Sequence, residues 1–174
     1  LAQIGRVIGQ KKKYVYTVEL LTEENIPLEG IENIDADNFI QYNTDGIFEL
    51  DSVVAIQSWE EFNEYVKLAN GQLDILCETV NEKTFDNSVV FLQTAYGSSS
   101  VNNYITGFRI NREDIKEIDN LGHHSYPLDK AKITMETVRV VPNILTSDIA
   151  YEVLSAIVPK TKLIDVDLSS IEVQ

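Results

Sequence analysis

The sequence predicts an α+β fold, a mainly antiparallel sheet with two or three helices. Three observations predict it. Several short segments alternate apolar and polar residues with a period of two. Turn signals separate those segments at short intervals, which favours hairpins over long crossovers. Only a minority of stretches place apolar residues at helical spacing.

Taken in order, Tyr14, Tyr16, Val18 and Leu20 alternate with Val15, Thr17 and Glu19, which marks a strand. Residues 23–38 are polar and acidic, are broken by Pro27 and Gly30, and read as a loop. Phe39 to Tyr42 reads as a short strand. The Asp45-Gly46 pair then tolerates positive φ, and a strand from Ile47 to Gln57 would complete a hairpin. Ser58-Trp59-Glu60-Glu61 has the form of a capping box, and Trp59, Phe62, Val66 and Ala69 follow on one helical face. Asn70-Gly71 ends that helix, with Gly71 suited to a left-handed position. Leu73, Ile75 and Cys77 alternate with Asp74 and Glu78 and read as a strand with the thiol on its core side.

Ser88 to Tyr96 and Val101 to Ile110 read as a hairpin around Gly97-Ser98-Ser99-Ser100. Asn111 is placed to cap a short helix through Ile118. Residues 119–130 read as a loop and Ala131 to Val141 as a strand ending before Pro142. Thr146 or Ser147 is placed to cap a second helix with Ile149, Val153 and Ala156 on its core face, and Pro159 to stop it. Leu163 to Leu168 is the last strand expected.

At 174 residues the chain has the size of one domain able to bury most of its apolar surface. Residues 14–174 are assigned to that domain and residues 1–13 to a short, flexible, basic N-terminal arm. Hydrophobic residues make up 44% and charged residues 24%, a globular composition. No segment approaches the roughly 20 apolar residues of a membrane span, and Leu1 to Gln10 lacks the apolar core of a signal peptide. Cys77 is the only cysteine, so no disulfide can form within the chain, and a reducing compartment such as the cytoplasm, or an assembled particle, is expected.

Charge is the most uneven property. The net value is −14, which argues against nucleic-acid and anionic-membrane partners. Residues 1–13 carry Arg6, Lys11, Lys12 and Lys13 and no acid. Residues 14–66 carry 13 acids and no lysine or arginine.

Candidate chemistry is sparse. His123 and His124 are the only histidines; with Asp119, and with Asp129 beyond them, they offer imidazole and carboxylate donors to a divalent metal. Adjacent side chains diverge in an extended segment, so a solvated histidine pair is the plainer reading. Asn33, Asp35 and Asp37 imitate the front of a calcium loop, yet Asn38 replaces its glycine and Thr44 its bidentate glutamate. Gly5 to Lys11 has one residue too few for a phosphate loop and lacks its Ser/Thr. The serines at 98–100 have no nucleophile-elbow setting. Asp165 and Asp167 share a strand face as a hydrolase pair would, but solvent-facing acids on strand edges are commoner.

The expected function is therefore that of a structural or interaction protein, a subunit of a larger assembly such as a viral or phage particle (tail, neck or capsid-associated), with no catalysis and no cofactor. Arg6, Lys11, Lys12, Lys13, Tyr14 and Tyr16 form its expected interface. The basic arm would lie on the acidic segment of a neighbour, where opposite potentials set register. A metal-assisted hydrolase at His123, His124 and Asp119, and a monomeric acidic module for a basic partner, are the alternatives.

Overall fold

A computed structural model describes residues 2–8, 13–18, 31–35, 38–112 and 130–174. Strands β1 (Ala2–Ile8) and β2 (Lys13–Val18) pair antiparallel as a two-stranded sheet of their own. The rest is a mixed α+β arrangement of two four-stranded sheets and three helices among the described residues. Strands β3 (Ile31–Asp35), β7 (Asn102–Asn111), β8 (Ala131–Val140) and β10 (Val166–Val173) form the outer sheet, in the order β10-β8-β7-β3. Strands β4 (Phe39–Asn43), β5 (Val54–Ile56), β6 (Ser88–Ser98) and β9 (Ile149–Pro159) form the central sheet, in the order β4-β9-β6-β5. All pairings are antiparallel except β10 with β8.

The central sheet is apolar on both faces, and this decides the architecture. Val89 and Phe91 of β6 and Leu154, Ala156 and Val158 of β9 meet Phe108, Ile110, Ile133 and Met135 of the outer sheet. Phe91 and Phe108 touch across that layer with ring centroids 4.4 Å apart. Val90, Leu92 and Val153 face the other way, against helices α1 (Trp59–Ala69), α2 (Asp74–Cys77) and α3 (Thr84–Asn87). There Trp59, Phe62 and Phe85 form an aromatic cluster, with centroids 5.7 Å, 5.8 Å and 6.4 Å apart. A strand buried on both faces reads as an unbroken apolar run, and Val89 to Leu92 is such a run.

Helix α1 is built as its sequence implies. Ser58 is extended and its Oγ accepts from the Glu61 N–H at 3.1 Å. Glu61 in turn accepts from the Gln57 N–H at 3.0 Å, one residue earlier than a standard capping box. Asn70 takes the left-handed cap at φ 48° and Gly71 follows at φ 91°.

Several sequence expectations are corrected. Ile31–Asp35 is a strand, not loop. Phe39 to Tyr42 forms no hairpin with Ile47 to Gln57: only Val54–Ile56 of that stretch is strand, and β4 and β5 lie on opposite edges of the central sheet. Asp74–Cys77 is a short helix with Leu73 at its N-cap, and Leu73, Leu76 and Val80 are buried at spacings of three and four rather than alternating as a strand would. Ser88 to Tyr96 and Val101 to Ile110 are both strands but lie in different sheets, so Ser99 and Ser100 turn the chain from one sheet to the other. Ile149 to Pro159 is a strand rather than a helix. The last strand begins at Val166, after a 3-10 turn at Lys160–Lys162 and a left-handed Asp165, so Asp165 and Asp167 do not flank one regular strand face. Asn111 ends β7, and the helix expected after it falls outside the described residues.

A close approach in the outer sheet is diagnostic of the packing. A Cβ on Gly107 would come within 2.7 Å of the Ile34 carbonyl oxygen. Gly107→Ala is therefore expected to push β3 outward and cost about 1–3 kcal/mol. Chemical denaturation of the variant checks this, and an unchanged midpoint would mean that β3 yields freely.

No helix among the described residues is long and apolar enough to cross a membrane.

Candidate functional site

Two surfaces stand out once the layers are in place. The first is the helical layer. Ten acids and two lysines lie between Asp45 and Asn87. Asp45, Glu49, Asp51, Glu60, Glu64, Asp74, Glu78, Glu82 and Asp86 are all exposed. The apolar faces of α1 to α3 are spent on the central sheet, so the charged positions are left to water. The ion pair Arg112–Glu32, at 3.2 Å, lies in the outer sheet and not in this layer. Leu68 and Ile75 stand exposed among these carboxylates.

The second surface is the end of the sandwich where β6 hands over to β7 and β8 to β9. Glu152 is 3% exposed and points between the sheets. Its carboxylate accepts from Gln41 Nε2 at 2.7 Å, Asn103 Nδ2 at 2.6 Å and the Asn103 backbone N–H at 3.2 Å. The residue thus ties β9 to β4 on its own sheet and to β7 on the other. A shallow surface dip, too tight to enclose a water molecule, lies beside it and is lined in part by Asn43, Tyr96, Ser98 and Asn103. Arg139 overhangs the same end, its Nη2 3.6 Å from where a Cβ on Gly97 would sit.

Hydroxyl groups hold the two end connections together. Ser98 Oγ lies 2.8 Å from the carbonyl and 2.8 Å from the hydroxyl of Thr146. Ser99 Oγ lies 3.0 Å from Thr146 Oγ1, and the Thr146 N–H donates to Ser100 Oγ at 3.2 Å. Hydrogen bonds from Ser99 and then Thr146 hold the Asp148 carboxyl below its usual pKa. Above this pinned connection the aliphatic side chains of Val140, Val141, Ile144, Leu145 and Ile149 are exposed.

Neither surface offers an evident nucleophile. Cys77 is exposed on α2, not inside a strand, and its thiol pKa is raised, first by partial burial and then by the Asp74 carboxylate. A raised pKa disfavours the reactive thiolate. The hydroxyls at Ser98 to Ser100 bond one another and Thr146. Asp167 is engaged by its neighbour, accepting from the Ser169 N–H at 3.0 Å and its hydroxyl at 2.6 Å, which lowers its pKa.

His123, His124, Asp119 and Asp129 lie outside the described residues, as do Lys11 and Lys12. The backbone of Arg6 lies in β1, and that of Lys13, Tyr14 and Tyr16 in β2. Among the described residues no three His, Cys, Asp or Glu side chains are grouped to hold a metal ion. Sequence reasoning passed over Glu152 and the 140–149 connection. The signal for the second was present as five bulky aliphatics around Pro142 and Asn143, and it was hidden by reading part of the stretch as helix.

The chain matches no family model, no curated protein and no solved structure.

Proposed function

We propose that this protein acts by binding, as a subunit of a multi-copy assembly. In this reading the cationic N-terminal segment of one copy, Arg6 with Lys11 to Lys13, lies on the acidic helical layer of the next. The concentration of exposed carboxylates on that layer carries the reading. Opposite potentials accelerate and orient such a contact, while Leu68 and Ile75 add a modest apolar share. A head-to-tail contact of this type closes into rings or continues into filaments. A particle or tail component is one setting for such a subunit.

Sedimentation of the full chain at low and high salt tests the idea. Association is expected at low salt and is expected to fall by about tenfold or more as screening shortens the Debye length from about 10 Å at 0.1 M to about 3 Å at 1 M. Reversing Lys11, Lys12 and Lys13 together to Glu is expected to abolish it. Identical sedimentation of the reversed and natural chains would remove the reading. A monomer that captures a basic peptide at the same acidic layer would turn it into a binding module for a foreign partner.

A further inference from the structure

We infer, building on the head-to-tail contact proposed above, that the cationic segment docks as a β-ribbon, the β1–β2 hairpin, and that the helical layer of a second copy of this chain receives it. Strands β1 and β2 pair with each other and, among the described residues, with no strand of either larger sheet. A hairpin of two strands is at best marginally stable alone in water and is made firm by a third strand or a packed surface. Tyr14, Tyr16 and Val18 alternate along β2, and their ladder partners are Val7, Ile4 and Ala2. Six apolar or aromatic residues thus fall on one face of the ribbon. A flexible tail would need only charge to bind. A ribbon with such a face also needs a surface to lie on.

Charge selects that surface. The net −14 is divided unevenly: residues 1–18 carry four bases and no acid, and residues 19–174 carry ten bases and 28 acids. The ribbon of one copy is therefore drawn to the body of another, while the two bodies repel. That combination favours a head-to-tail contact over one that sets like surfaces together. The helical layer holds ten acids against two lysines between Asp45 and Asn87. It offers apolar area as well, since Ile47 is 77% exposed, Leu68 67% and Ile75 48%. The Gly46 N–H donates to Gln72 Oε1 at 2.9 Å, which holds the turn before Ile47 against the connection between α1 and α2. Carboxylates and aliphatic side chains thus share one layer, as cations and an apolar face share the ribbon. Every copy supplies one ribbon and one layer, so the two are matched in number.

The test separates the ribbon from its charge. Val15→Pro with Tyr16→Pro removes ladder donors from β2 and leaves all four bases in place. In sedimentation velocity of the full chain, from about 10 µM to about 1 mM at about 0.1 M salt, this variant is expected to associate tenfold or more weakly than the natural chain. Its thermal melt by circular dichroism is expected to be unchanged, because β1 and β2 share no ladder with the two larger sheets. Tyr14→Ser with Tyr16→Ser keeps the ladder and the charge but strips the apolar face, and is expected to weaken association severalfold. Hydrogen exchange gives an independent reading: the β2 amides are expected to gain protection in the assembled chain and to lose it at about 1 M salt. Either variant associating as the natural chain does would overturn the inference. If the Lys11, Lys12 and Lys13 reversal still abolished association in that case, the charge-driven contact would stand and only the ribbon would fall. A monomer at every concentration would remove both, whether the ribbon lay on its own helical layer or floated the chain with phosphatidylserine vesicles.

Discussion

Phe91→Ala is expected to destabilise the protein by about 3–5 kcal/mol, among the largest costs of any single truncation in this chain. Phe91 is fully buried at the middle of β6, and β6 is an inner strand of the central sheet. Its ring stands 4.4 Å from that of Phe108 on the outer sheet, so truncation removes a buried side chain and an aromatic contact between layers at once. The neighbours cannot close the gap cheaply, because β6 is hydrogen-bonded on both edges, to β5 and to β9. For a domain of this size the loss corresponds to a fall in Tm of about 10 °C. The central sheet also contributes Val90 and Leu92 to the helical core, so the damage is expected to reach the helices. Near- and far-ultraviolet melts should fall together as one transition. Separate transitions for the sheets and the helices would show that the two cores are energetically independent.

That two-sided burial also explains which elements were legible in the sequence. Helix α1 was readable because its signals are local: a serine cap, an apolar stripe and an Asn-Gly end all act within a dozen or so residues. Strands β6 to β8 were readable from their β-branched and apolar content. Strand β9 was not. Its residues alternate between the outer-sheet core (Leu154, Ala156, Val158) and the helical side (Val153, Ile157), so nearly every position is apolar. Such a run satisfies helical spacing as well as strand spacing, and the spacing of Ile149, Val153 and Ala156 misled. The β-branched and aromatic residues of β9 were the better guide.

Pairing was less legible still, because it is a long-range choice. Ser88 to Tyr96 and Val101 to Ile110 carry hairpin-like signals, but each finds its neighbours far along the chain, β9 and β5 for one, β8 and β3 for the other. A short Gly-Ser turn serves a hairpin and a crossing between sheets equally well. The candidate sites follow the same division. A charge imbalance is compositional and was visible at once, whereas Glu152 draws its meaning from Gln41 and Asn103, 111 and 49 positions away in sequence.

Glu152→Ala is the second large effect expected, about 2–4 kcal/mol. The carboxylate is the common acceptor for three donors on two other strands, and its removal leaves the Asn103 N–H, Asn103 Nδ2 and Gln41 Nε2 without it in a part-buried place. The cost arises from those stranded donors more than from the lost bonds, since each bond replaces one that water would make. Glu152→Gln is the sharper test, because it keeps the volume but presents an NH₂ group where an acceptor is needed. It is expected to cost about 1–3 kcal/mol by the same argument. Replacing Glu152, Gln41 and Asn103 together by leucine removes acceptor and side-chain donors at once. That triple variant is expected to be more stable than the sum of its single changes implies, the mark of coupled polar groups. Strict additivity in urea denaturation would show that Glu152 is not the brace that joins the two sheets at this end.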